Sequence, residues 1–168
     1  MDSQNRRWRF FRAGGFDQVR LDQAEELLAI GELDQKLWVA LSCPVNGIQF
    51  DSRTLAFIDS DGDGHVRAKE LIAAVEWAAG HLAEPGLLGR GVDGVTLADL
   101  RTDSEASQRI AQAARLLASD LGKSEGERLG VEEVALAQER HAARLQAEWE
   151  SQGEAASPLG ADTEAAYQ

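Results

Sequence analysis

The sequence predicts an all-α fold, and three observations carry that expectation. Apolar residues recur at helical spacing, most clearly Ala106, Ile110, Ala114, Leu117 and Leu121. Two helical stretches flank an acidic loop of twelve residues, 59–70, in the order helix, loop, helix. Outside that loop only 18–21 and 95–97 read as extended, and both are shorter than an ordinary strand.

Each element has a local reason. The chain opens on a basic, aromatic arm, 1–13, where Arg6, Arg7, Arg9 and Arg12 are interleaved with Trp8, Phe10 and Phe11. Gly14-Gly15 marks a turn. Asp22 followed by Glu25 is an aspartate version of the capping box, predicting a helix to about Ile30 with Ala24, Leu27 and Leu28 inward. Gly31 ends it. A second helix is expected over 33–41, with Leu33, Leu37, Trp38 and Leu41 on one face and Pro44 and Gly47 beyond its end. Asp51 caps a short helix to Ile58. After the acidic loop, 69–82 reads as a helix with Leu71, Ile72, Val75 and Leu82 on its apolar side and Pro85-Gly86 as its stop. A glycine-rich connection, 86–94, leads to a helix over 104–121 that Asp103 caps and Gly122 ends. The chain is thus expected as an arm (1–13), a helical domain (14–123), a polar helix (124–151) and a small, acidic, disordered tail (152–168).

The acidic loop carries the chemistry. It reads Asp59-Ser60-Asp61-Gly62-Asp63-Gly64-His65-Val66-Arg67-Ala68-Lys69-Glu70, with acids at positions 1, 3, 5 and 12, glycine at 6 and a β-branched apolar residue at 8. A chain curled around a hard cation supplies its oxygens from this spacing. Asp59, Asp61 and Asp63 each offer a carboxylate oxygen, Gly64 permits the sharp turn, and Glu70 reaches back with both oxygens. His65 offers its backbone carbonyl, its imidazole being a bystander. The loop resembles the EF-hand. The resemblance implies Ca2+ on Asp59, Asp61, Asp63, His65 and Glu70, with Mg2+ as the other candidate ion. Position 9 departs from the motif: Arg67 stands where an oxygen side chain often binds the ion through water. Arginine has no lone pair to give and adds positive charge beside the site, which points to weaker binding.

A wider resemblance rests on Phe10-Phe11-Arg12-Ala13-Gly14-Gly15-Phe16-Asp17-Gln18-Val19, on Leu33-Asp34-Gln35-Lys36-Leu37-Trp38-Val39-Ala40 and on the loop. These runs resemble the N-terminal region of longer bacterial EF-hand proteins, which implies calcium binding and no reaction. Residues 124–168 depart from that pattern.

Such loops come in pairs, because Val66 lies on a tiny strand whose backbone groups need a partner. The leading expectation is a degenerate pseudo-hand over 12–28, with Val19 laid on Val66 and no usable ligands. The alternatives are 91–99, with Asp93-Gly94 at positions 5 and 6, a homodimer pairing Val66 with its symmetry mate, and a protein partner.

Composition sets outer bounds. A formal charge of −12 argues against nucleic acid as the main partner, since phosphate binding needs a basic footprint. The arm has three readings: it lies on an anionic membrane surface, it stacks on single-stranded nucleic acid, or it packs its aromatics on the domain while its arginines offset acidic surface. Cys43 is the only cysteine, so an internal disulfide is excluded, and with Leu41 and Pro44 beside it a small buried hydrophobe is expected. His65, His81 and His141 share no zinc-like spacing. No nucleophile stands beside a base and no phosphate loop is present, so no catalytic activity is expected. No apolar run spans a bilayer and no apolar segment follows the arginines, which leaves the cytoplasm as the default location. The function expected is a calcium-responsive interaction or sensor module, the alternative being a structural calcium or magnesium site in a helical scaffold.

Overall fold

A computed structural model describes residues 8–38, 40 and 42–156, with 151–156 described by backbone alone. Arg6 and Arg7 of the arm, Leu41 of the expected second helix and residues 157–168 of the expected tail lie outside the described residues. The chain divides between Val92 and Asp93 into two compact units.

The fold is mixed α/β, which corrects the all-α expectation: the described residues hold five α-helices and two antiparallel two-stranded sheets. The first sheet is a hairpin of β1 (Phe10–Ala13) and β2 (Phe16–Val19), closed at the pair Ala13 and Phe16. Gly14 and Gly15 both take positive φ, +60° and +87°, as the tight hairpin turn that follows right-handed strand twist requires. The arm and the glycine pair are therefore one element. Arg9 donates to Glu26 Oε1 at 2.7 Å and Arg20 pairs with Asp22, so these two arginines are committed to nearby acids.

Helix α1 (Ala24–Leu28) is one turn long, and its capping glutamate is one residue later than expected. Glu26 Oε2 accepts from the amides of Asp22 and Gln23 at 2.8 and 3.1 Å, while its Oε1 holds Arg9. Where a helix is expected over 33–41, the described residues hold a single 3₁₀ turn, Gln35–Leu37, and another, Ile30–Glu32, precedes it. Asp34 accepts from the Lys36 amide at 3.0 Å, a local bond that competes with helix propagation. Trp38 is already extended, and the chain continues into β3 (Ser42–Pro44).

β3 pairs with β4 (His65–Arg67), Cys43 opposite Val66. This overturns the expected pseudo-hand: within the chain the partner of the Val66 strand is β3, which precedes the loop, not 12–28 or 91–99. Val19 lies opposite Phe10 instead. Between β3 and β4 runs α2 (Ser52–Ile58), capped as expected, Asp51 Oδ2 accepting from the Thr54 amide at 2.8 Å and its hydroxyl at 2.7 Å. After β4 comes α3 (Ala68–His81), one residue offset from expectation. Val45, Leu55 and Val66 form a buried cluster joined by Ile58 and Leu71, which fixes the two helices and the small sheet around the acidic loop. Cys43 is half-buried.

In the second unit α4 (Glu105–Asp120) is capped by Ser104, whose Oγ accepts from the Ser107 amide at 3.1 Å; the expected cap, Asp103, pairs with Arg101. The last helix, α5 (Val131–Ala156), reaches five residues into the expected tail, 152–156. Val95, expected in a short strand, forms a single antiparallel bridge with Leu129. Among the described residues no helix is long and apolar enough to cross a membrane.

Candidate metal centre

The acidic loop starts where α2 stops. Asp59 donates its amide to Leu55 O at 2.9 Å as the last helical bond, and its carboxylate turns into the loop. Asp59 Oδ1 accepts from the Asp63 amide at 3.2 Å and Oδ2 from the Gly64 amide at 2.9 Å. Asp61 Oδ1 shares the Asp63 amide at 3.2 Å, and Asp63 Oδ1 accepts from the His65 amide at 3.0 Å. Gly64 has φ +83°, and nothing lies within 4 Å of where its Cβ would stand, so the backbone angle alone explains glycine there. The result is three carboxylates, each offering an oxygen within 4.8 Å of the others.

Glu70 is placed differently from the three aspartates and closes the loop end to end. Its Oε1 accepts from the amide and hydroxyl of Ser60 at 2.8 and 3.1 Å; its Oε2 accepts from the Arg67 amide at 2.8 Å. The same glutamate thereby caps α3 and ties position 2 to position 9.

The ladder explains the backbone at position 7. Val45 donates to Gly64 O at 3.0 Å, so Val45 and Gly64 are a hydrogen-bonded pair. Parity then makes Cys43 and Val66 bonded and Pro44 and His65 non-bonded. Proline is tolerated at Pro44 because no ladder bond needs its missing N–H. The same parity turns the N–H and C=O of His65 away from β3, to the edge where Asp63 accepts the N–H. The His65 ring is exposed, its Nδ1 3.4 Å from Asp63 O.

Arg67 is the residue whose contacts sequence reasoning missed. Its guanidinium forms a close ion pair with Asp63 Oδ2 and lies 3.6 Å from Asp61 Oδ2. The loop therefore carries its own cation against two of its three aspartates. That contact, with a backbone bond from His65, holds the Asp63 carboxyl below its ordinary pKa. The Arg67 amide and then the Ser60 amide and hydroxyl do the same for Glu70. Both groups have depressed folded pKa values, so their contribution to stability is present above the ordinary carboxylate pKa and lost as pH falls through the depressed values. The urea midpoint of metal-free protein is expected to be flat above about pH 5 and to fall below about pH 4. A midpoint that already falls between about pH 7 and 6 contradicts this assignment.

The three aspartates that the structure groups offer hard oxygen alone, whereas the Glu70 carboxylate and the His65 carbonyl, expected as ligands, are not part of that group. That set suits Ca2+ or Mg2+ rather than a soft metal. No protein-family model, curated protein or solved structure matches the chain.

Proposed function

We propose that the chain binds calcium through residues 59–70 and works as a calcium-responsive interaction module without catalytic activity. The observation that carries this is the convergence of Asp59, Asp61 and Asp63 within 4.8 Å. Asp59 and Asp61 would each supply a carboxylate oxygen, Asp63 one oxygen once Arg67 moves aside, His65 its carbonyl, and Glu70 closes the loop from the helix side. The bound ion supplies positive charge that otherwise only Arg67 brings to the aspartates, and mass action adds its binding energy to folding. A response reaches the surface through α2 and α3, the helices entering and leaving the loop. Phe57 on α2 is 83% exposed and Trp77 on α3 is 60% exposed, so apolar side chains stand on both. Arg9 and Arg20 pair with Glu26 and Asp22, which supports arginines that offset acidic surface, whereas Phe10 and Phe11 are exposed rather than packed on the domain.

One observation favours the second reading, a structural ion. The loop carboxylates are already held by the amides of Ser60, Asp63, Gly64, His65 and Arg67, so an ion meets a shaped loop rather than reshaping it. Trp fluorescence during calcium titration separates the two, because Trp77 stands on α3, the helix that leaves the loop. A large change on binding supports the responsive module. Binding with thermal stabilisation and no spectral change makes the ion a clip.

Arg67 sets the affinity in either case. Arg67→Asp removes the competing guanidinium and adds an oxygen donor at position 9, so calcium is expected to bind at least about tenfold more tightly. Weaker binding in that variant, measured by competition with a chelating dye, would give Arg67 a supporting role in the loop instead.

A further inference from the structure

Residues 122–133 share the layout of 59–70, and their exit halves match bond for bond. Each segment has a buried apolar residue in an antiparallel bridge: Val66, 7% exposed, opposite Cys43, and Leu129, 6% exposed, opposite Val95. The next residue precedes a helix, Arg67 before α3 and Gly130 before α5. Three residues further stands a glutamate whose Oε2 accepts that residue's amide, at 2.8 Å for Arg67 and Glu70 and at 2.8 Å for Gly130 and Glu133. Counting back from these matches sets Gly122, Ser124 and Gly126 on Asp59, Asp61 and Asp63, so all three acids are absent. Arg128 falls at position 7 and Glu133 at position 12.

Positions 7 and 12 nevertheless grip a cation. The Lys123 ammonium donates to Arg128 O at 2.6 Å and forms an ion pair with Glu133 Oε1. A backbone carbonyl at 7 and a glutamate at 12 are two of the donors with which a calcium loop holds its ion. The Lys123 side chain is only 21% exposed, so the charge sits largely inside the loop. An ammonium carries one charge and three donors, and it needs fewer anionic partners than a divalent ion. That suits a loop stripped of its aspartates. We propose that 122–133 is a lysine-filled counterpart of 59–70, in which the Lys123 ammonium takes the ion's place and fixes the Leu129 bridge and the start of α5 without metal. The likeness is confined to the exit half: α4 ends in a glycine turn with the Lys123 amide bonded to Ala118 O at 2.8 Å, whereas Asp59 follows α2 directly. Glu127, without positive φ, stands where Gly64 makes the turn of the first loop. The inference stands on the second unit's own geometry and holds whether or not 59–70 takes calcium. Its consequence is a division of labour: divalent cations act on the first unit, and the second is closed at all times.

Amide hydrogen exchange on the full chain carrying Glu70→Gln, which disables the first loop, tests this. The probes are the Leu129 and Val95 amides, bonded to each other's carbonyls at 2.7 and 3.1 Å; the Val45 amide, bonded to Gly64 O, is the internal reference. Lys123→Ala is expected to speed exchange at Leu129 and Val95 at least about tenfold while Val45 stays within about twofold. Lys123→Arg keeps a cation and should stay within about threefold of the parent. Because the loop lacks the aspartates that a divalent ion needs, millimolar calcium chloride should slow exchange in Lys123→Ala no more than sodium chloride at equal ionic strength, and the lysine-bearing parent should respond to neither. Unchanged exchange in Lys123→Ala overturns the proposal, as does equal loss in the Ala and Arg variants. If Lys123→Ala unfolds the second unit, Lys123→Met, which keeps the stem and removes the charge, is judged by the same criteria.

Discussion

Glu70→Gln is expected to weaken calcium binding by at least about a hundredfold, because it removes one full charge and the second carboxylate oxygen at position 12. The structure adds a second reason. Both Glu70 oxygens are acceptors, Oε1 for the Ser60 amide and hydroxyl, Oε2 for the Arg67 amide. A glutamine can accept at one end only, and its NH2 would face donors at the other. The variant thus loses a ligand and a clasp between the two ends of the loop, so metal-free protein should also melt at a lower temperature. Equilibrium dialysis against calcium measures the first effect, and thermal unfolding in chelator the second. Retention of affinity within about threefold would remove position 12 from the site.

Gly94→Ala is expected to be the most damaging single-methyl change in the second unit. A Cβ at Gly94 would lie 2.3 Å from Leu129 O and 2.7 Å from its carbonyl carbon, and the residue holds φ at +137°, where L side chains are rare. Neither neighbour is a flexible side chain; both are backbone of the Val95–Leu129 bridge. Overpacking and an unfavourable backbone angle together cost about 2–4 kcal/mol. Gly126→Ala is the control: nothing lies within 4 Å of its Cβ position and its φ is not positive. Urea unfolding with amide exchange at Leu129 as the local probe should show a large loss for Gly94→Ala and little change for Gly126→Ala. Similar behaviour in the two variants would contradict the close approach at Gly94.

These predictions draw unequally on what the sequence makes legible. α3 and α4 lie within one residue of their expected ends, because apolar spacing runs over several turns and glycine or proline stops each. The Asp51 cap is readable for the same reason: its partners are three residues away. The acidic loop is legible in composition, and the structure brings Asp59, Asp61 and Asp63 together. What stays hidden is pairing. β1 and β2 have four residues each, too few for an alternating pattern to register, and the Gly14-Gly15 turn is their only signal. β3 has three residues and contains Pro44, which argues against a strand unless the ladder parity is known. The stretch 91–99 does contain a bridging residue, yet Val95 meets Leu129 rather than Val66.

Arg67 and Lys123 are hidden for a related reason. Arg67 ends β4 and Lys123 follows the glycine turn after α4, and the direction of each side chain depends on turns the sequence does not specify. Arg67 is four residues after Asp63, but the intervening chain is not helical, so helical i, i+4 logic does not forecast the contact. Lys123 meets the backbone carbonyl of Arg128, and no residue type signals that acceptor.

Calorimetric titration of the metal-stripped chain with calcium, repeated in millimolar magnesium, decides whether residues 59–70 take the ion as proposed. One calcium is expected to bind per chain in the wild type, more tightly in Arg67→Asp and hardly at all in Glu70→Gln. No calcium bound at millimolar concentration, or one bound with the same affinity in wild type and Glu70→Gln, would contradict the proposal.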